Sequence, residues 1–485
     1  MTTIMYWNIM QFGYNRFFTD EGSVKRRKVT GIGGKQPYEA AQDRLAIVMS
    51  SLRAKPPDIF VIVEVNRGIN ELPEGSVVED QSSLNLLYQI RADGTLTPNG
   101  TEWALVPPLI SGEGGKAEGI AVFYKSSVGG NPYLYFGGPW RWPGGPSTAG
   151  GNSAVANSTG SFGNYSHPWD EALPKRQVPN NSPFNAKQQE NQLAGQYQFF
   201  QPPPMPPATP LYFPAKGYRS PFLTYFWDVS AGVGNERLIK LLSYHAPPEQ
   251  TSNNANTALS AAGTAKLAQI QEMNAPGTNT NEVSVIVGDF NVSLFDTAGA
   301  GGGLAGQAYT PLTGAGYTQA ITRNVAGGSI IPPSYPQKSY LITHIKRLGK
   351  SFPWNTNGYP GYGYLSEPDQ FGRYDAIDNI FTKYGTGGSA ANITIVNRVI
   401  GAPYTKVAAF PAHLPDPQRG HYSYATAMNN PAALPVPTPP PPPPLPPGPG
   451  GYPPKPTGKR NQFRGWDNYK KVWSTSDHMA LIIDV

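Results

Sequence analysis

The sequence predicts an α/β domain in which two β-sheets pack on each other and long, weakly charged segments are inserted between the strands. Short apolar, β-branched runs recur from one end of the chain to the other, each of a length that suits a buried strand. Two segments with helical character lie between these runs. Only 14% of the 485 residues are charged, and the chain contains 54 Gly and 52 Pro, so much of its length has a loop-like composition.

The apolar runs and the spacing of apolar residues place each element along the chain. The predicted strands are residues 4–9, 58–65, 103–106, 119–124, 222–229, 237–244, 283–287, 376–382, 392–400 and 479–485. Leu45, Val48 and Leu52 fall at helical spacing and predict a helix over about 38–54, and an Ala-rich run predicts a second over 257–273.

The core cannot be divided into two domains, because residues with chemical function occur near both termini. We therefore predict one domain over residues 1–485, with insertions at about 126–220, 296–372 and 401–472. No period of 20–50 residues recurs along the chain, which argues against a solenoid.

Side chains that can bind a cation or move a proton lie at the ends of several strands. The run that ends at Gly288 is followed by Asp289 and Asn291, which point the same way in an extended chain. A hard cation or a phosphate favours such a pair, although Gly-Asp-x-Asn also forms an ordinary turn. Comparable positions are held by Asn8, Glu64, His245, Asp477 and His478. We expect these side chains to share one site.

The composition excludes some chemistry and favours some partners. The chain has no cysteine, so disulfides, zinc–thiolate sites and cysteine nucleophiles are excluded. A net charge of +6 and a pI of about 9.1 favour a polyanionic partner. Two basic features are interpreted either as phosphate contacts or as solvated surface: the cluster Lys25, Arg26, Arg27 and Lys28, and the single Arg67.

The sequence also bears on location and partners. No apolar run approaches the length of about 18 residues that a membrane span requires, and the first strand begins too early to leave room for a signal peptide. We expect a cytoplasmic chain, one exported without a cleaved leader, or a mature form. The polyproline tract at 435–454 predicts a rigid spacer or a ligand for a proline-recognising partner, and a monomer is expected.

Taken together, the motifs resemble those of the endonuclease/exonuclease/phosphatase superfamily, and within it the deoxyribonuclease I branch. The matching segments are Asn8-Ile9 with Phe12-Gly13, Ile62-Val63-Glu64-Val65, Glu118-Gly119-Ile120, Tyr244-His245-Ala246-Pro247, Gly288-Asp289-Phe290-Asn291 and Ser476-Asp477-His478. The resemblance implies a four-layer sandwich, in which two mixed β-sheets are flanked by helices. It leaves the insertions unexplained.

The resemblance further implies a divalent-metal-dependent phosphodiesterase acting on nucleic acid, in the first place a DNA endonuclease. Mg²⁺ or Mn²⁺ would be held by Glu64, Asn8 and Asp477, and a Ca²⁺ ion with a structural role is compatible with the family. Asp289 and Asn291 would orient the water or the phosphate.

Two histidines would transfer protons. His478, paired with Asp378 or with Asp375, would activate the water as general base. His245, paired with Glu118, would stabilise the pentavalent phosphate or protonate the leaving oxygen. Which imidazole is the acid, which is the base, and how many metals act are left open.

Two other functions compete with the nuclease hypothesis. The same scaffold serves phospholipid substrates, and a sphingomyelinase-like enzyme would need an exposed aromatic hairpin, for which residues 132–136 are the candidate. The second competitor is a binding protein on a retired hydrolase fold, which the intact motifs at both ends of the chain argue against.

Overall fold

The computed structural model describes residues 1–18, 37–68, 78, 80, 82–112, 117–136, 147–148, 152–155, 211–213, 219–232, 235–247, 254–274, 281–294, 300–322, 343, 377–385, 475–476, 478 and 480–485. Four predicted features lie outside these residues: the strand at 392–400, the polyproline tract, the basic cluster at 25–28, and the side chains of Asp375 and Asp477.

Strands outnumber helices in the described part of the chain. The strands are β1 (Thr3–Phe12), β2 (Ile59–Asn66), β3 (Glu102–Ser111), β4 (Glu118–Val128), β5 (Asn131–Pro132), β6 (Leu134–Phe136), β7 (Ser147–Thr148), β8 (Asn152–Val155), β9 (Leu211–Phe213), β10 (Phe222–Asp228), β11 (Arg237–His245), β12 (Glu282–Asp289), β13 (Thr318–Gln319), β14 (Asp378–Tyr384) and β15 (Leu481–Asp484). The α-helices are α1 (Tyr14–Phe17), α2 (Pro37–Ala54), α3 (Ser82–Ala92), α4 (Asn254–Lys266), α5 (Gln271–Asn274) and α6 (Gly303–Gly314).

The first sheet has the strand order β15-β1-β2-β4-β3, with β5 paired to β4. Strands β1 and β2 run parallel, and the other neighbours in this sheet are antiparallel. The β1–β2 register shifts between Asn8 and Phe12, and the β2–β4 register shifts between Ile62 and Val65. Such irregularities re-aim side chains, and both lie where functional residues were predicted.

The second sheet has the order β13-β14-β12-β11-β10-β6 and also contains one parallel pair, β11–β12. The remaining pairs in it are antiparallel. Strands β7, β8 and β9 form a separate three-stranded sheet. Each large sheet is therefore mixed, as the family resemblance implied.

The large sheets pack face to face, and helices cover their outer sides. Between the sheets, the ring of Tyr124 lies 5.0 Å from that of Phe226. Outside the first sheet, Arg91 of α3 donates a hydrogen bond to the Trp103 carbonyl at 2.8 Å. Outside the second sheet, the Tyr309 ring of α6 lies 5.7 Å from that of Phe381. This arrangement confirms the predicted architecture of two packed mixed sheets with flanking helices.

Two of the predicted insertions contain regular structure. Leu134–Phe136 is a buried strand that pairs with β10, so this part of residues 126–220 belongs to the core and no exposed hairpin forms there. Residues 303–314 form a helix in a segment predicted to be loop, because its buried residues, including Ala305, Ala308 and Leu312, recur at helical spacing. Its glycine content masked that spacing in the sequence. The helix over Ser82–Ala92 (α3) was not predicted from the sequence either.

None of the helices in the described part of the chain is both long and apolar enough to cross a membrane.

Candidate active site

The ends of strands from both sheets meet at one pole of the sandwich and bring the predicted polar side chains together. The parallel pairs contribute their carboxyl ends, and the antiparallel strands β4 and β14 contribute their first residues. The converging side chains are Asn8, Glu64, Glu118, His245, Asp289, Asn291, Asp378 and His478. Residues far apart in sequence thus form one site.

The backbone around this site is strained. The non-glycine residues with positive φ in the described chain are Gln11 at 50°, Glu64 at 60° and Asn291 at 50°, and all three lie at the site. The left-handed conformation is unfavourable for residues with a Cβ. The Gln11 amide donates a hydrogen bond to Glu64 Oε2 at 3.0 Å, which helps to hold the Glu64 side chain in place.

Gly288 allows strands β11 and β12 to approach each other at the site. A Cβ at this position would lie 2.3 Å from the Tyr244 carbonyl oxygen, which belongs to the neighbouring backbone. The glycine that ended the apolar run in the sequence therefore has a steric reason, and it lies directly before Asp289.

We expect Gly288→Ala to lower the free energy of unfolding by about 1–3 kcal/mol, because the backbones of two central strands must move apart. Urea unfolding would measure the loss. Gly94→Ala is the matched control, since no atom lies within 4 Å of a Cβ placed there. Equal stability of the two variants would contradict this account.

Asp289 lies at the centre of the site. Its Oδ2 accepts a hydrogen bond from Asn8 Nδ2 at 3.0 Å and lies 3.4 Å from His245 Nε2 and 3.6 Å from His478 Nε2. Its Oδ1 accepts the Asn291 amide at 2.9 Å. The turn considered as an alternative for Gly-Asp-x-Asn is therefore present and also serves to orient the carboxylate. Burial raises the pKa of Asp289.

Hydrogen bonds hold both the imidazole ring and the backbone of His478 in place. Its Nδ1 lies 2.8 Å from Asp378 Oδ2, and its backbone amide donates to Ser476 Oγ at 2.9 Å. The Ser476 hydroxyl in turn donates to the Asn8 carbonyl at 2.5 Å. With Nδ1 against the acid, Nε2 faces Asp289 and is the nitrogen placed to exchange a proton with a substrate.

Of the two candidate acids, Asp378 is the one that the described structure brings to His478. The register of the second sheet pairs Asp378 with Asp289 across β12 and β14. The backbone amides of Ile377 and Asp378 both donate to Thr343 Oγ1, at 3.1 and 3.0 Å, which anchors the start of β14.

His245 is held in a second histidine–carboxylate pair. Its Nδ1 lies 2.5 Å from Glu118 Oε1, and Arg219 Nη2 lies 2.9 Å from Glu118 Oε2. Burial raises the pKa of Glu118 to about 7, although the Arg219 charge and the Glu64 backbone amide oppose the rise. Burial, assisted by the positive charge of Arg219, lowers the pKa of His245 to about 4. His245 is therefore neutral in the ligand-free protein at neutral pH.

These opposite shifts predict how stability depends on pH. Because the folded chain raises the pKa of Glu118, this group contributes stability at low pH that is lost as pH rises from about 4.5 to 7. Because the folded chain lowers the pKa of His245, this group contributes stability at high pH that is lost as pH falls from about 6.5 to 4. Between pH 4.5 and 6.5 the pair binds one proton in both the folded and the unfolded chain, on Glu118 and on His245 respectively, so the two effects cancel.

We expect Glu118→Gln to remove this balance. Relative to wild type, the variant should lose about 1.4 kcal/mol of stability for each pH unit between 6.5 and 4.5, because only the unfolded chain then takes up the proton. Urea unfolding at pH 7, 6 and 5 measures the slope, with the exposed Glu102→Gln as control. A difference from wild type that is constant with pH would refute the expectation.

The oxygen atoms at the site fit a divalent cation. Asn8 Oδ1 is buried and has no hydrogen-bond partner among the described residues, and Asn8 Nδ2 donates to Glu64 Oε1 at 3.2 Å. The Glu64 side chain is 23% exposed. An unpaired amide oxygen beside a carboxylate offers the hard oxygens that Mg²⁺ and Mn²⁺ prefer, so Glu64 and Asn8 would hold such an ion.

A second cluster could also receive a cation. Asp289, Asp378 and His478 are buried, and each offers a ligand atom within 4.8 Å of the others.

Sequence reasoning missed two residues of the site, Arg219 and Thr343. Both lie within or beside segments of low periodicity, and no motif or spacing connects either of them to its partner. Arg67 follows β2 directly and is half-buried.

Among the solved structures similar to this chain, two are described as endonuclease/exonuclease/phosphatase proteins. An endonuclease/exonuclease/phosphatase from Beutenbergia cavernae is 13% identical to this chain, with a TM-score of 0.34. The match covers 81% of this chain and 65% of the Beutenbergia protein, slightly less than two thirds of that protein's length.

Two further similar structures come from vertebrates. D. rerio TDP2 complexed with a single-strand DNA product is 8% identical (TM-score 0.33, 81% of this chain and 90% of that one). The human Nocturnin catalytic domain with bound sulfate is 11% identical (TM-score 0.33, 81% and 84%). No protein-family model and no curated protein matches the sequence. Identities and TM-scores this low do not assign a substrate to this chain.

Proposed function

We propose that the protein is a divalent-metal-dependent phosphodiesterase that cleaves nucleic acid, in the first place a DNA endonuclease. The observation that carries the proposal is the pair of histidines. Each is held through Nδ1 by its own buried carboxylate, and each directs Nε2 toward Asp289, at 3.4 and 3.6 Å. Two imidazoles facing one point can take a proton from water and give one to a leaving oxygen.

The roles follow from this geometry. Nε2 of His478 takes the proton from the attacking water, and Asp378 stabilises the imidazolium that forms. Asp289 orients the water, with its own position set by Asn8 and by the Asn291 amide. A divalent cation at Glu64 and Asn8 would neutralise the charge that builds on the phosphoryl oxygens.

His245 contacts the phosphate and protonates the leaving oxygen. Its low pKa in the ligand-free protein means that it gains the proton only when an anionic phosphate lies beside it, because a nearby negative charge favours imidazolium.

Nucleic acid is the substrate class that the charge balance supports. The net charge of +6 favours a polyanion over a zwitterionic lipid headgroup. The hairpin that a sphingomyelinase-like enzyme would expose is instead buried, since Leu134 and Phe136 are fully covered and Tyr135 is 2% exposed. Two imidazoles, each paired with its own buried acid, argue against a retired site.

Plasmid nicking with Mg²⁺ or Mn²⁺, with and without a chelator, tests the proposal. Wild type should nick the plasmid only with metal, and Asp289→Asn should not. Absence of metal-dependent cleavage of both DNA and RNA would overturn it. Release of phosphocholine from sphingomyelin vesicles without nuclease activity would instead establish the lipid alternative.

A further inference from the structure

The last strand of the small third sheet, β9, packs against β11, the strand that carries His245. Phe213, the final residue of β9, is fully buried and belongs to the main hydrophobic core. Its ring centroid lies 5.7 Å from that of Tyr244, at an angle of 54°. Tyr244 is itself fully buried and directly precedes His245 in β11. A change at Phe213 would therefore reach the end of β11.

The same stretch of chain also reaches the acid that pairs with His245. Arg219 lies six residues after Phe213, and its Nη2 lies 2.9 Å from Glu118 Oε2, with both side chains 9% exposed. The next carbonyl, that of Ser220, accepts a hydrogen bond from Ser111 Oγ at 2.9 Å. Ser111 is paired directly with Glu118 in the β3–β4 register, so the contact anchors the chain beside that acid.

Glu118 and His245 belong to different sheets. Glu118 begins β4 in the first sheet and His245 ends β11 in the second, so no ladder of backbone hydrogen bonds fixes one relative to the other. The returning segment, defined as Leu211–Phe213 together with Arg219–Ser220, contacts both sides of the pair. Arg219 also stabilises the carboxylate form of Glu118, which accepts the His245 Nδ1 proton.

We propose that the returning segment is a positioning element for the Glu118–His245 pair, with Phe213 setting the end of β11 and Arg219 setting the Glu118 carboxylate. On this view the last strand of the third sheet supports the active site. The proposal rests on the function proposed above, in which His245 acts on the phosphate.

Kinetics of Arg219→Met, Arg219→Lys and Phe213→Leu test the proposal. We expect Arg219→Met to lower kcat by about 10²-fold with KM changed less than about 3-fold, since misplacing a catalytic group by 1 Å costs about that much. Arg219→Lys should recover part of the loss, and Phe213→Leu should lower kcat by about 10-fold. Phe60→Leu is the matched control, because Phe60 is equally buried but stacks on Phe123 away from the site.

A second readout does not depend on activity. In ¹⁵N-resolved NMR of the metal-free protein at pH 9, where Glu118 is ionised because its pKa is about 7, wild type and Phe60→Leu should show His245 with its proton on Nδ1, with His245→Asn used to assign the signal. Arg219→Met and Phe213→Leu should show a mixture of tautomers. Retention of the wild-type tautomer and kcat in both variants would overturn the proposal. An inactive wild type with the predicted tautomer changes would overturn the proposed function alone.

Discussion

Replacing His478 by alanine is expected to lower kcat for nucleic acid cleavage by about 10³-fold, within the range that a positioned general base contributes. The reason is the geometry of its ring: Nδ1 is bound to Asp378 at 2.8 Å, and Nε2 is left 3.6 Å from Asp289. KM should change little, because the imidazole acts on the water in the transition state. Single-turnover cleavage of a defined DNA duplex at saturating Mg²⁺ measures the effect.

Two further measurements separate a lost base from a damaged fold. Wild type should show an acid limb in its pH–rate profile, because His478 must be neutral to act as the base, and the variant should lack that limb. Added imidazole should restore part of the rate by occupying the space left by the ring. His245→Ala should keep the acid limb. If His245→Ala and not His478→Ala lost that limb, the roles of the two histidines would be the reverse of those proposed.

Replacing Glu64 by glutamine is expected to weaken binding of Mn²⁺ by about 10²-fold and to reduce cleavage to a similar extent at fixed metal. The substitution keeps the shape of the side chain and leaves one oxygen to accept from Asn8, at the expense of the Gln11 amide contact, and it removes the negative charge that a divalent cation requires. Calorimetric titration of the metal-free protein gives the affinity, and raising the metal concentration should recover part of the activity.

The matched control is Glu102→Gln, which removes an exposed carboxylate far from the site along β3. Unchanged Mn²⁺ affinity in Glu64→Gln would show that Glu64 is not a ligand. It would direct attention to the buried cluster of Asp289, Asp378 and His478 as the place where a cation binds.

The parts of this site that sequence reasoning could predict are those where local pattern and chemistry coincide. Gly288 and Asp289 follow a buried strand, whose register with β14 places Asp378 opposite Asp289. The register shift at Asn8 and the positive φ of Glu64 leave no local trace, because both are imposed by neighbouring strands.

Contacts between distant segments were the least predictable. Arg219 meets Glu118 across 101 positions of sequence, through a segment whose composition resembles loop. Helix α6 was hidden because glycine and proline, here including Pro311, ordinarily argue against a helix, whereas packing of Tyr309 on Phe290 and Phe381 stabilises it.

The left-handed backbone conformation of three residues at the site has an evolutionary consequence. Gln11, Glu64 and Asn291 hold backbone conformations that glycine would adopt at lower energy. A population selected only for resistance to heat would therefore be expected to accumulate glycine at these positions, and with glycine at position 64 it would lose the carboxylate that the proposed reaction needs. Persistence of a glutamate there under mutational drift would itself record continuing selection for activity.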